Sequence, residues 1–168
     1  MANQGKPQGQ QNRNTGGGYG NQQRAQGGGD RPSKKEKKDE SALREEYKKI
    51  WNDNLFPEIL REEKQNYNNF IDTIKKYIEP KKDTVSASQL RNIYTEVIKL
   101  KRDEVQKLYA LRPKLAYAAG RAEKDDVKEI MLLMDDLIKE VKSESQLVAF
   151  QKFFEAIIAY HKFYGGKQ

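Results

Sequence analysis

From Asp39 onward, apolar residues recur every three or four positions, the spacing of one face of an α-helix. Nowhere does a two-residue alternation compete with it. Leu43, Tyr47, Ile50 and Trp51 define a first helix that Ser41 is placed to cap. Pro57 suits the first turn of the next helix, where its missing N–H costs nothing. Ile59, Leu60, Tyr67, Phe70, Ile71, Ile74 and Ile78 follow at helical spacing, until Pro80 disfavours the helical backbone of the residue before it.

After the linker KKDTV at 81–85, Ser86 and Gln89 form a capping box, in which each side chain reaches the other residue's backbone N–H. Leu90, Ile93, Tyr94, Val97 and Leu100 make the stripe of that helix, and Val105, Leu108, Tyr109 and Leu111 continue the pattern. Pro113 must kink or restart it, because an interior proline costs roughly 3 kcal/mol. Gly120 is the natural residue to end the segment in a positive-φ turn. Val127, Ile130, Met131, Met134, Leu137, Ile138 and Val141 mark another helix. Ser143 and Gln146 offer a second capping box, ahead of a last helix with Leu147, Phe150, Phe153, Phe154, Ile157, Ile158 and Phe163. The pattern predicts an all-α, compact helical bundle of about five to six helices over residues 39–168.

Residues 1–38 break this pattern. They hold nine of the twelve glycines, many Gln and Asn, and Tyr19 as their one aromatic residue. Too little apolar surface is present to offset the entropy of ordering, so a disordered tail is expected there, with Lys34–Lys38 free to add loose attraction for phosphate. The polar N-terminus and the lack of any long apolar run predict a cytoplasmic protein with no membrane contact. With no cysteine and a single histidine, His161, thiol chemistry, paired-histidine metal sites and two-histidine ribonuclease chemistry are excluded. Asp125–Asp126 and Asp135–Asp136 carry the right charge for Mg²⁺, but a polar helix face predicts the same residues, so no metal site, cofactor or small-molecule substrate is expected.

Charge is what singles out the middle of the chain. The whole carries +7, and residues 81–121 hold ten Lys and Arg against four Asp and Glu. Clustered cations point to an anionic partner, although a solvated helix face gives the same pattern. On a wheel started at Leu90, Arg91, Lys99 and Arg102 share the outward side, with the Thr95 hydroxyl between them. In 111–121, LRPKLAYAAGR, Arg112 and Lys114 flank the apolar stripe on opposite edges and Arg121 leaves at the end, while Ala116, Ala118 and Ala119 allow close packing. Arginine offers a planar fork for phosphate and lysine a mobile point charge. Tyr94, Tyr109 and Tyr117 are read as core or interface residues rather than as platforms for bases.

SASQLRNIY (86–94), LRPKLAYAAGR (111–121) and AYHKFYGGK (159–167) occur in this order. Together they resemble the small subunit of the type III-A CRISPR effector, the second subunit of the Csm complex, over roughly residues 41–168. The resemblance implies a helical bundle whose copies stack head to tail within a ribonucleoprotein. It also implies a non-catalytic role, supporting the duplex of guide RNA and target RNA through sequence-independent backbone contacts. The expected nucleic-acid-binding residues are Arg91, Arg112, Lys114 and Arg121 from the matching blocks, with Lys99 and Arg102 added from the wheel. Tyr160–Gly166 is expected either to close the fold or to meet a neighbouring subunit. Two other readings stand beside this one: a helical protein–protein adaptor without nucleic-acid contact, and a small metal-independent ribonuclease.

Overall fold

Asp39, rather than Ser41, starts the first helix: its carboxylate accepts the Ala42 N–H at 2.8 Å. The structure, a computed structural model, describes residues 38–51 and 55–166; the tail expected to be disordered lies, but for Lys38, outside the described residues. Helix α1 is Glu40–Trp51, α2 Leu55–Ile59, α3 Tyr67–Ile78, α4 Ala87–Val97, α5 Val105–Tyr109, α6 Arg112–Arg121, α7 Asp125–Glu140 and α8 Glu144–Phe163. A 3₁₀ turn, Glu79–Lys81, links α3 to the segment before α4. The fold is an all-α bundle, and among the described residues it contains no strand.

The elements are more numerous and shorter than the apolar spacing suggests, because two long stretches are interrupted. The one that begins near Pro57 breaks between Ile59 and Tyr67. There the Lys64 ammonium donates to the carbonyls of Ile59 and Arg61, satisfying acceptors that a longer helix would have used internally. Its burial in that position lowers the Lys64 pKa to about 8. The other break follows Val97, where the Gln151 side chain of α8 donates to the carbonyls of Val97 and Leu100, each at 3.0 Å. Pro113 restarts the chain as expected, at the first turn of α6. Gly120 does not take a positive φ; it lies within α6, which runs on to Arg121.

Two groups of helices share the core. Helix α7 packs against α1, α5 and α6, while α8 packs against α2, α3 and α4. Trp51 lies between them, with ring centres 5.6 Å from Phe153 and 6.0 Å from Phe70. Both capping boxes, at Ser86–Gln89 and Ser143–Gln146, are formed. The Tyr160–Gly166 segment closes the fold through His161, which is buried and donates from Nε2 to the Val85 carbonyl at 2.8 Å. Gly165 turns the chain at φ +77°, and a Cβ at Gly166 would sit 2.2 Å from the imidazole Cε1. His161 thus fixes the chain one residue before the Ser86 cap, and so fixes the start of α4.

Two charged groups are enclosed in this frame. Lys81 and Glu129 are only 6% and 4% exposed, with Nζ 3.3 Å from Oε1 and 4.5 Å from the centre of the Tyr77 ring. Burial raises the Glu129 pKa, against the pull of Lys81. Tyr109 is half-buried and donates its hydroxyl to the Val141 carbonyl at 2.5 Å, and Tyr94 packs edge-on to Phe154, as expected of core residues. Tyr117 differs: it is 64% exposed.

Candidate nucleic-acid interface

The first two sequence blocks come together in space. Residues of α4 and α6, over the flank of α7, line one groove of about 320 Å³. Gln89 and Asn92 stand on the α4 side, Tyr117 and Arg121 on the α6 side. Beneath them lie Ile93, Val127 and Met131, the last two buried. Helix α6 is held as a wall from both edges, by the two cations that the sequence placed on opposite sides of its apolar stripe. Arg112 Nε meets Asp135 Oδ1 of α7 at 2.8 Å, and the Lys114 ammonium pairs with Glu96 of α4.

These pairs divide the six expected cations. Arg112 and Lys114 each face a carboxylate, and Arg102 lies 3.8 Å from Glu62. Arg91, Lys99 and Arg121 are exposed and make no ion pair among the described residues. Lys99 and Arg102 do not sit on α4 at all, since the helix ends at Val97, so their angles on its wheel do not hold. Arg91 is on α4 but faces away from α6; it borders the outward face of the helix opposite the groove. The Thr95 hydroxyl, expected between the cations as a free donor, donates to the Arg91 carbonyl at 2.8 Å. Three residues that were not expected as site residues line the groove: Gln89, Asn92 and Tyr117. Of these, Asn92 and Tyr117 fall outside the apolar stripes of their helices, a signal present in the sequence.

Arg121 donates to the Tyr117 hydroxyl at 2.8 Å and its guanidinium lies 5.4 Å from the ring centre. That leaves its charge unneutralised while restricting where it sits. The Gln89 side-chain oxygen accepts the Ser86 N–H in the capping box, which turns its NH₂ outward as a donor. Asn92 makes no side-chain hydrogen bond among the described residues, so both its donor and its acceptor are open.

The aspartates considered for Mg²⁺ are otherwise engaged. Asp136 accepts from Arg44 Nε at 2.9 Å, Tyr47 hydroxyl at 2.5 Å and Lys139 Nζ at 2.7 Å. Asp135 accepts from Arg112 and pairs with Lys139 at 2.8 Å. Burial works against the charge on both, but the hydrogen bonds outweigh it and hold each carboxyl below its ordinary range. Asp126 takes the Thr84 hydroxyl at 2.5 Å. No cluster of three or more potential metal ligands occurs among the described residues, and none of their helices is long and apolar enough to cross a membrane.

Fold and groove define a class: a small all-helical protein with a partly apolar groove and an arginine, Arg121, unpaired at its edge among the described residues. The family model for Csm2 Type III-A matches residues 60–167, which include the groove and the last block. The chain belongs to that family, the small subunit of the type III-A Csm complex. A Streptococcus thermophilus protein described as "CRISPR system Cms protein Csm2" is 42% identical over 59 residues, which are 34% of this chain and 47% of that relative. The chain thus matches about half the length of this curated relative. No solved structure matches.

Proposed function

We propose that this chain is a non-catalytic, cytoplasmic subunit of a type III-A effector that lies along a guide RNA–target RNA duplex and contacts its backbone without reading sequence. Copies of the chain and other subunits of the complex are its protein partners. Arg91, Lys99 and Arg121 meet phosphates, while Arg112 and Lys114 hold α6 in place and Arg102 stands near Glu62. One observation carries this reading: a cation from each of the two family blocks, Arg91 on the outward face of α4 and Arg121 at the groove, stays exposed and without a carboxylate partner among the described residues. In an RNA-guided complex base pairing reads the sequence, which leaves to the protein the positioning contacts that phosphates provide.

The test is the double substitution Arg91→Glu with Arg121→Glu in the full chain. Helical circular dichroism should be unchanged, because both side chains are exposed. RNA retained on the purified complex should fall. Unchanged RNA retention with normal assembly would instead support an adaptor that touches other proteins alone.

A further inference from the structure

Phosphate contact explains the cations but leaves the rest of the groove without a purpose. A phosphate needs neither an apolar floor nor an exposed aromatic ring, and its hydration disfavours both. Yet Ile93, Val127 and Met131 form such a floor, and Tyr117 stands over it at 64% exposure. An exposed apolar slot of this kind fits the flat face of a ligand. Opposite the ring, Asn92 presents an open donor beside an open acceptor, and Gln89 adds a second donor. Paired donors and acceptors of this kind bind the edge of a nucleobase. Arg121, held against Tyr117, supplies positive charge at the same end.

We infer that the groove between α4 and α6 binds a single unstacked nucleobase of a bound RNA, stacked on Tyr117, its edge at Asn92 and Gln89 and its phosphate at Arg121. The inference rests on the proposed RNA-binding function and adds a site to it. Charge decides between this occupant and a protein side chain. Arg121 is the one charged residue that lines the groove, and it is exposed and without a carboxylate partner among the described residues. Such a rim favours a ligand that brings a flat apolar face and a negative charge together, as a nucleotide does. Tyr117 and one asparagine set no single base, so the site tolerates sequence in keeping with backbone recognition elsewhere.

The experiment compares two RNA duplexes that differ at one position: one carries a single unpaired adenosine, the other an abasic residue in its place. Binding to the full chain is measured by fluorescence anisotropy at fixed salt. The unpaired base should strengthen binding about tenfold over the abasic RNA, the range expected of one base stacked on an aromatic ring. Tyr117→Ala should remove that advantage and Tyr117→Phe should keep it, whereas Arg91→Gln should weaken both RNAs equally. Equal, salt-sensitive binding of the two RNAs by the unaltered chain overturns the nucleobase site and leaves the backbone reading standing. Failure to bind either RNA overturns both. If Tyr117→Ala leaves the two RNAs in the same ratio but releases another subunit from the assembled complex, the groove holds a protein side chain and the inference falls.

Discussion

Because half of the six expected cations are already paired, the electrostatics of RNA binding should depend on the other half, and salt dependence can tell the two sets apart. Each phosphate neutralised on a duplex contributes about 0.9 to the slope of log affinity against log salt, and about 0.7 on a single strand. Replacing Arg91, Lys99 and Arg121 together by glutamine should therefore make the duplex slope shallower by about 2.7, and the single-strand slope by about 2.1. Over a fourfold rise in salt, the unaltered chain should lose roughly fortyfold more affinity than this variant. The difference is the useful quantity, because the first 38 residues carry eight Lys and Arg whose contribution is common to both chains. The control replaces Arg102, Arg112 and Lys114 by glutamine. Those three face Glu62, Asp135 and Glu96, so their loss should change the slope by less than about one. Anisotropy titrations from about 50 to 200 mM salt span the needed range. A control slope that falls more than that of the first variant would place the RNA along the paired cations and refute the division proposed for them.

Two further outcomes concern the frame. Glu129→Ala leaves the buried Lys81 ammonium without its carboxylate and should cost about 3 kcal/mol, while Lys81→Met with Glu129→Leu should come close to neutral; urea unfolding measures both, and equal losses would show that packing, not charge, dominates there. Asp136→Asn should cost roughly 2 kcal/mol at neutral pH by weakening the acceptor shared by Arg44, Tyr47 and Lys139. Because the folded carboxyl titrates below the ordinary 3.8, its stabilisation is present above that pH and is lost as pH falls through the lowered value. The gap between the two chains should accordingly close in acid, and a gap of constant size would contradict the assignment.

What could be read from the sequence divides by the distance between interacting partners. The Ser86 and Ser143 boxes depend on residues three apart and were legible in full. So was the restart at Pro113, a property of one ring. The end of α4 was not, because the group that satisfies its carbonyls, Gln151, lies more than fifty residues further on in α8. That single omission carried Lys99 and Arg102 onto a helix they do not occupy. The wheel also showed correctly that Arg112 and Lys114 leave opposite edges of α6, but not that a carboxylate waits at each. For Tyr117 the residue type left core and interface both open, and its position, about 120° from Leu111 on the wheel, pointed to solvent.

On the proposed reading, the charge in LRPKLAYAAGR does two kinds of work. Surface pairs such as Lys114–Glu96 add little stability, since solvent screens them and holding two long side chains costs entropy. Their effect lies in position: one edge of α6 is tied to α4 and the other to α7, so its outward face keeps a fixed distance across the groove. Arg121 and Tyr117 are carried on that face, one turn apart, and their mutual hydrogen bond adds a local restraint. A ligand that must be met by a ring, a cation and an amide at once gains more from fixed spacing than from additional charge. Losing Arg112 should then weaken RNA binding by loosening the wall, with the salt slope preserved, whereas losing Arg121 should weaken it with the slope reduced. The same segment can thus spend two cations on building a surface and a third on using it.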